Sequence, residues 1–97
     1  MDLQQAKLVA EAASVEVATA ARNEQIRAAI ASGMSLREIE AATRIPRSTV
    51  QRIGAAKPLT EAKYLRLANN EAVARAEVVA LESVEATLVE IDRASEA

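Results

Sequence analysis

The sequence predicts an all-α protein in which a three-helix core is flanked by an N-terminal helix and a long C-terminal helical segment. Half of the residues are apolar, while only two glycines and two prolines interrupt them. Apolar positions recur at intervals of three and four through most of the chain, the period of a helix with one buried face. Tyr64 is the single aromatic residue and alanine is abundant, so the core is expected to consist of Ala, Val, Leu and Ile with closely approaching helices.

The first element opens at Asp2, an N-cap residue. Leu3, Ala6, Ala10, Ala13, Val17 and Ala20 then trace a narrow stripe of mostly small residues to about Ala21. Leu8, Ala12 and Val15 form a second stripe on another side, and Ile26 and Ile30 continue its phase. Two readings stay open: one helix with two apolar faces that reaches Ser32, or a bend near Asn23.

Gly33 ends this segment where a helix C-cap favours positive φ. Ser35-Leu36-Arg37-Glu38 fits the S-x-x-E capping box, in which two side chains each satisfy an orphan amide at a helix start. A short helix from about Leu36 to Thr43 follows, with Leu36, Ile39 and either Ala42 or Thr43 facing inward. Pro46 halts it, because proline disfavours helical geometry in the residue before it, while its own φ suits the first position of another helix. That next helix, about Pro46 to Ala56, buries Val50 and Ile53, and Ile45 completes a small apolar triangle. At 100° per residue, Ser48, Gln51, Arg52 and Ala55 then face solvent, with Arg47 and Thr49 flanking.

Beyond Lys57-Pro58, a helix from about Thr60 presents Leu59, Leu65 and Ala68, and Asn69-Asn70 reads as a hinge or boundary. From Glu71 to about Arg93 a further run places Ala74, Leu81, Val84, Leu88 and Ile91 on one face, widened by Val73 and Ala80 and interrupted by Glu77. This stripe is longer than the small core can cover. Leu81, Val84, Leu88 and Ile91 are therefore candidate dimerisation residues, with folding back on the N-terminal helix as the alternative.

Composition excludes several kinds of chemistry. Cysteine and histidine are absent, which removes disulfides, Cys/His zinc sites, thiol nucleophiles and imidazole bases. The acidic residues lie among helix formers without a Gly-rich or loop setting, so neither an enzyme nor a metal or cofactor is expected. No apolar run approaches the roughly 20 residues a bilayer span needs. The start, MDLQQAKLVAEAAS, lacks a basic region followed by an apolar one, so the expectation is a soluble, cytoplasmic protein.

The net charge of −2 conceals an uneven distribution. Residues 1–21 carry one basic and three acidic side chains, net −2; residues 22–57 carry seven and three, net +4; residues 58–97 carry four and eight, net −4. These segments divide the single domain, 1–97, into an N-terminal helix, a basic core and a C-terminal packing or oligomerisation segment. A basic island between acidic flanks is the pattern expected of a surface that meets phosphates.

The stretch EQIRAAIASGMSLREIEAATRIPRSTVQRI resembles the helix-turn-helix domain of resolvase/invertase-type serine recombinases over residues 24–54. The likeness rests on Gly33, Ile39, Ile45, Ser48-Thr49-Val50 and Arg52. The portion IPRSTVQRI is also similar to regulators of the isocitrate-lyase-repressor type, but no wing is expected here, since helix formers rather than alternating strands follow Pro58. Two residues depart from the pattern. Glu40 stands where a small residue is usual and would point outward past the recognition helix; Arg44 stands where glycine is common and would take an unfavourable backbone conformation.

The resemblance covers no catalytic domain and implies double-stranded DNA binding in the major groove. It makes Arg52 a candidate reader of guanine, Gln51 of adenine and Ser48 of a base or phosphate. Arg47, Thr49, Ser35 and Arg37 are placed for phosphate contacts helped by the helix N-terminus, with Arg44, Arg27 and Lys57 as weaker candidates. The function expected is a small homodimeric transcriptional regulator acting by operator occupancy. The alternatives are a phage DNA-packaging adaptor resembling small terminase subunits, and a helical protein-binding module such as an antirepressor or antitoxin with a protein partner.

Overall fold

A computed structural model of the chain describes residues 1–96, and among them it contains four helices and no strand: α1 (Leu3–Ala31), α2 (Leu36–Thr43), α3 (Arg47–Ala55) and α4 (Glu61–Glu96). The all-α expectation holds. The chain forms two compact units, one of Ala18–Tyr64 and one combining Met1–Val17 with the chain from Leu65 onward.

Helix α1 starts on a reciprocal cap. The Gln5 amide donates to Asp2 Oδ1 at 2.8 Å, and the Asp2 amide donates to Gln5 Oε1 at 3.1 Å, satisfying two donors that the first turn would leave orphaned. Of the two readings left open by the sequence, the uninterrupted helix is the one observed, its hydrogen-bonded turns running through Asn23. An asparagine weakens a helix when its amide competes for backbone groups. Here the Arg22 guanidinium occupies Asn23 Oδ1 through bonds of 3.2 and 2.9 Å, which removes that competition.

The C-terminus of α1 is a Schellman turn around Gly33, whose φ is 98°. Gly33 N–H bonds the Ile30 carbonyl at 3.0 Å and Met34 N–H bonds the Ala29 carbonyl at 3.1 Å, the paired pattern that a left-handed residue permits. Helix α4 is also continuous: the boundary expected at Asn69-Asn70 does not occur. Two exposed asparagines cost a long helix only about 1 kcal/mol together, less than a new pair of uncapped ends. Thr60 caps its start, accepting from the Lys63 amide at 3.2 Å.

In Ala18–Tyr64 the core consists of buried Ile26, Ile39, Val50 and Ile53, with Ala29, Ile30, Leu36 and Ile45 packed around them. The expected triangle of Ile45, Val50 and Ile53 is present. Neither Ala42 nor Thr43 is buried, because α2 is too short to carry its inward face past Ile39. The Thr43 hydroxyl instead donates to the Ile39 carbonyl at 2.8 Å and accepts from the Ile45 amide at 3.2 Å, which ties off the end of the helix. Helix α3 passes close to α1 at Gly54, where an added Cβ would stand 2.7 Å from Ile30 Cδ1.

The other unit is built on small residues. Ala6, Ala10 and Ala74 are buried, and the Arg75 guanidinium of α4 reaches the Ser14 hydroxyl and lies 3.6 Å from the Glu11 carboxylate of α1. The stripe begun at Leu3 is therefore the packed one, whereas Leu8, Ala12 and Val15 face outward. Along α4 the expected face is buried at Ala74 and half-buried at Leu81, but Val84, Leu88 and Ile91 are each more than half exposed. Leu65 is exposed too, its inward place being taken by Leu67 and Ala68. No helix among the described residues is long and apolar enough to cross a membrane.

Candidate nucleic-acid interface

The candidate surface is built on α2, the turn after it, and α3. Ser35 has extended backbone (φ −74°, ψ 157°) and its Oγ accepts from the Glu38 amide at 3.1 Å, so the N-cap read from the sequence is present. The reciprocal half of the box differs. The Glu38 carboxylate accepts from the Ser35 hydroxyl at 3.1 Å rather than from its backbone N–H, so one orphan donor is satisfied instead of two. Ser35 and Arg37 both lie at the surface.

Arg44 adopts the left-handed conformation at φ 60° and ψ 19°, and its N–H bonds the Glu40 carbonyl at 2.8 Å. The unfavourable conformation expected from the sequence is thus observed. It costs a side-chain-bearing residue about 1 kcal/mol, which the packing of Ile45 against the core offsets. The reversal it produces lets α3 begin after only three intervening residues, 44 to 46.

Helix α3 starts at Arg47 with Pro46 as its N-cap, one residue later than the sequence suggests. Pro46 offers no side-chain acceptor there. The acceptor comes from α2: Glu40 Oε2 takes the Arg47 N–H at 2.8 Å, and Oε1 lies 3.5 Å from Arg47 Nε. Glu40 therefore does not point outward past α3 but turns onto its amino end, where a carboxylate is favoured by the helix dipole. Sequence reasoning missed this role. The available signal was a proline-started helix without a local cap, preceded by a carboxylate one turn before the end of the previous helix.

With Val50 and Ile53 inward, Ser48, Gln51 and Arg52 are exposed together on the outer side of α3, and Thr49 is half-buried at its edge. Among the described residues, no side-chain hydrogen bond or ion pair engages Gln51, Arg52, Arg37 or Arg44, so their donors are turned to solvent. Arg47 is the exception, being paired with Glu40.

Arg27 is withdrawn from the surface. Its side chain is only 14% exposed; Nη2 bonds Glu24 at 3.2 Å and Nη1 reaches the Ile53 carbonyl at 3.4 Å. A guanidinium on a last-turn carbonyl braces the carboxyl end of α3 as Glu40 braces its amino end, each charge matched to the dipole. Arg27, a weaker phosphate candidate in the sequence, thus has its guanidinium engaged within the fold. The chain matches no protein-family model, no curated protein and no solved structure.

Proposed function

We infer that this chain is a sequence-specific double-stranded DNA-binding protein, a small transcriptional regulator that occupies an operator as a homodimer in the cytoplasm. The observation that carries the reading is the outward face of α3. Ser48, Gln51 and Arg52 stand together on a helix whose two ends are braced, within a segment of net charge +4. Side chains of these types, in this arrangement, can hydrogen-bond base edges in the major groove, while Arg37, Arg44 and Ser35 lie on the neighbouring elements for phosphates. The role is one of binding rather than catalysis.

The exposed Val84, Leu88 and Ile91 of α4 support self-association, since a monomer leaves them in water. A single helix-turn-helix makes few contacts, and two-fold pairing doubles them on a palindromic site. The length of this uncovered face also favours a second reading, a multi-subunit DNA-packaging adaptor. Light scattering separates a dimer from a ring.

Selection of bound duplexes from random DNA at two salt concentrations tests the reading. Enrichment of a defined site is expected, with Arg52→Ala and Gln51→Ala together weakening its binding by about 2–4 kcal/mol and relaxing the preference at the bases they read. Binding without enrichment, falling steeply with salt, would mean phosphate contacts alone. Absence of DNA binding in a protein that captures a polypeptide partner would replace the reading with that of a protein-binding module.

A further inference from the structure

Glu40 takes two donors that a phosphate would otherwise use. The first is the Arg47 N–H, the leading amide of α3, which Pro46 cannot satisfy because it has no capping side chain. The second is the Arg47 guanidinium, 3.5 Å away. Backbone amides at the positive end of a helix together with an arginine fork form the arrangement that binds phosphate oxygens. In this molecule an internal carboxylate fills it. The pair lies at the surface, Arg47 being 51% and Glu40 41% exposed in their side chains, so it stands where a duplex would arrive.

We propose that Glu40 is a specificity-determining residue of the nucleic-acid face: it holds Arg47 out of phosphate contact and sets a negative charge at the amino end of α3. The inference rests on the proposed DNA-binding function. On a random duplex, affinity is a sum of cation–phosphate contacts, and the protein is free to take whatever register uses the most of them. On the selected duplex, base reading by Ser48, Gln51 and Arg52 fixes one register, so an additional phosphate contact by Arg47 counts there only where that register brings a phosphate to it. Withholding one arginine and repelling the nearby phosphate therefore lowers random-site binding more than cognate binding. Arg37 and Arg44 remain to set the register, and Glu38 is occupied by the Ser35 hydroxyl.

The test is Glu40→Gln, whose side-chain carbonyl can still accept the Arg47 N–H, so that the cap is kept while the charge is removed. Affinity is measured over a series of salt concentrations for the selected duplex and for a random duplex of equal length. Random-duplex affinity is expected to rise about three- to fivefold, with a salt slope steeper by about one, while the selected duplex changes less. Unchanged affinity and slope on the random duplex, an equal gain on both duplexes, or an equal loss on both as a merely structural cap would give, overturns the proposal. Arg47→Ala in the otherwise native chain is a second arm. It is expected to leave the random-duplex slope unchanged, and a slope shallower by about one shows that Arg47 already binds phosphate and overturns the proposal. A native protein that binds neither duplex removes the DNA-binding reading and this role with it. That outcome is distinct from a native protein that binds DNA and a Glu40→Gln variant that behaves identically.

Discussion

In Ala18–Tyr64, four branched side chains are buried from three helices, and the ends of those helices are closed by Gly33, Ser35, Arg44, Glu40 and Arg27. In the unit of Met1–Val17 and Leu65 onward, the buried residues are alanines, while Leu8, Val15, Val84, Leu88 and Ile91 lie outside. The contrast shows two ways of stabilising helices. Short ones, which are marginal alone, need caps and a core made of large side chains; long ones gain a backbone hydrogen bond with every added residue and tolerate a thin contact. The first way uses up its apolar surface, and the second leaves some for a partner.

Four substitutions measure that difference. Ile39→Ala should lower the unfolding free energy by about 2–4 kcal/mol in urea titrations, because it empties the centre of the smaller unit. Leu88→Ala, the same size of truncation on α4, should cost under about 0.5 kcal/mol at low protein concentration. Similar losses at the two sites would erase the distinction. Ser35→Ala removes the cap of α2 and should cost about 1 kcal/mol, with the loss seen as faster amide exchange at Glu38. Arg44→Gly should act in the opposite direction, raising stability by about 0.5–1 kcal/mol as left-handed strain is relieved. A destabilised Arg44→Gly would mean that its side chain, rather than its backbone, matters to the fold.

The features legible in the sequence were those carried by residues close together along the chain. Asp2, Gly33, Ser35, Pro46 and the inward pair Val50 and Ile53 act within a turn or two of themselves, so propensity and spacing located them. Arg44 was legible for the same reason, since its strain follows from a turn of fixed length. Asn23 left two readings open and Asn69-Asn70 suggested a hinge or boundary because their propensity is a small local cost, and helix continuity outweighs it. Glu40 and Arg27 were opaque for another reason. Each acts on a different helix, seven and 26 residues away along the chain, and only the folded arrangement brings a carboxylate to Arg47 and a guanidinium to Ile53. The outward placement of Ser48, Gln51 and Arg52 was readable from Val50 and Ile53, whereas the pairing that occupies Arg47 was not.

The alanines at 6, 10 and 74 have a calorimetric consequence. A methyl group hides little apolar surface, and the heat-capacity change and denaturant sensitivity of an unfolding step both scale with the apolar area it exposes. Separation of that helix pair should therefore be a shallow event, spread over a wide temperature range and nearly indifferent to urea. The cluster of Ile26, Ile39, Val50 and Ile53 should melt as the sharper transition. A second copy covering α4 would change that profile, turning the shallow step into a steep one whose midpoint climbs with protein concentration.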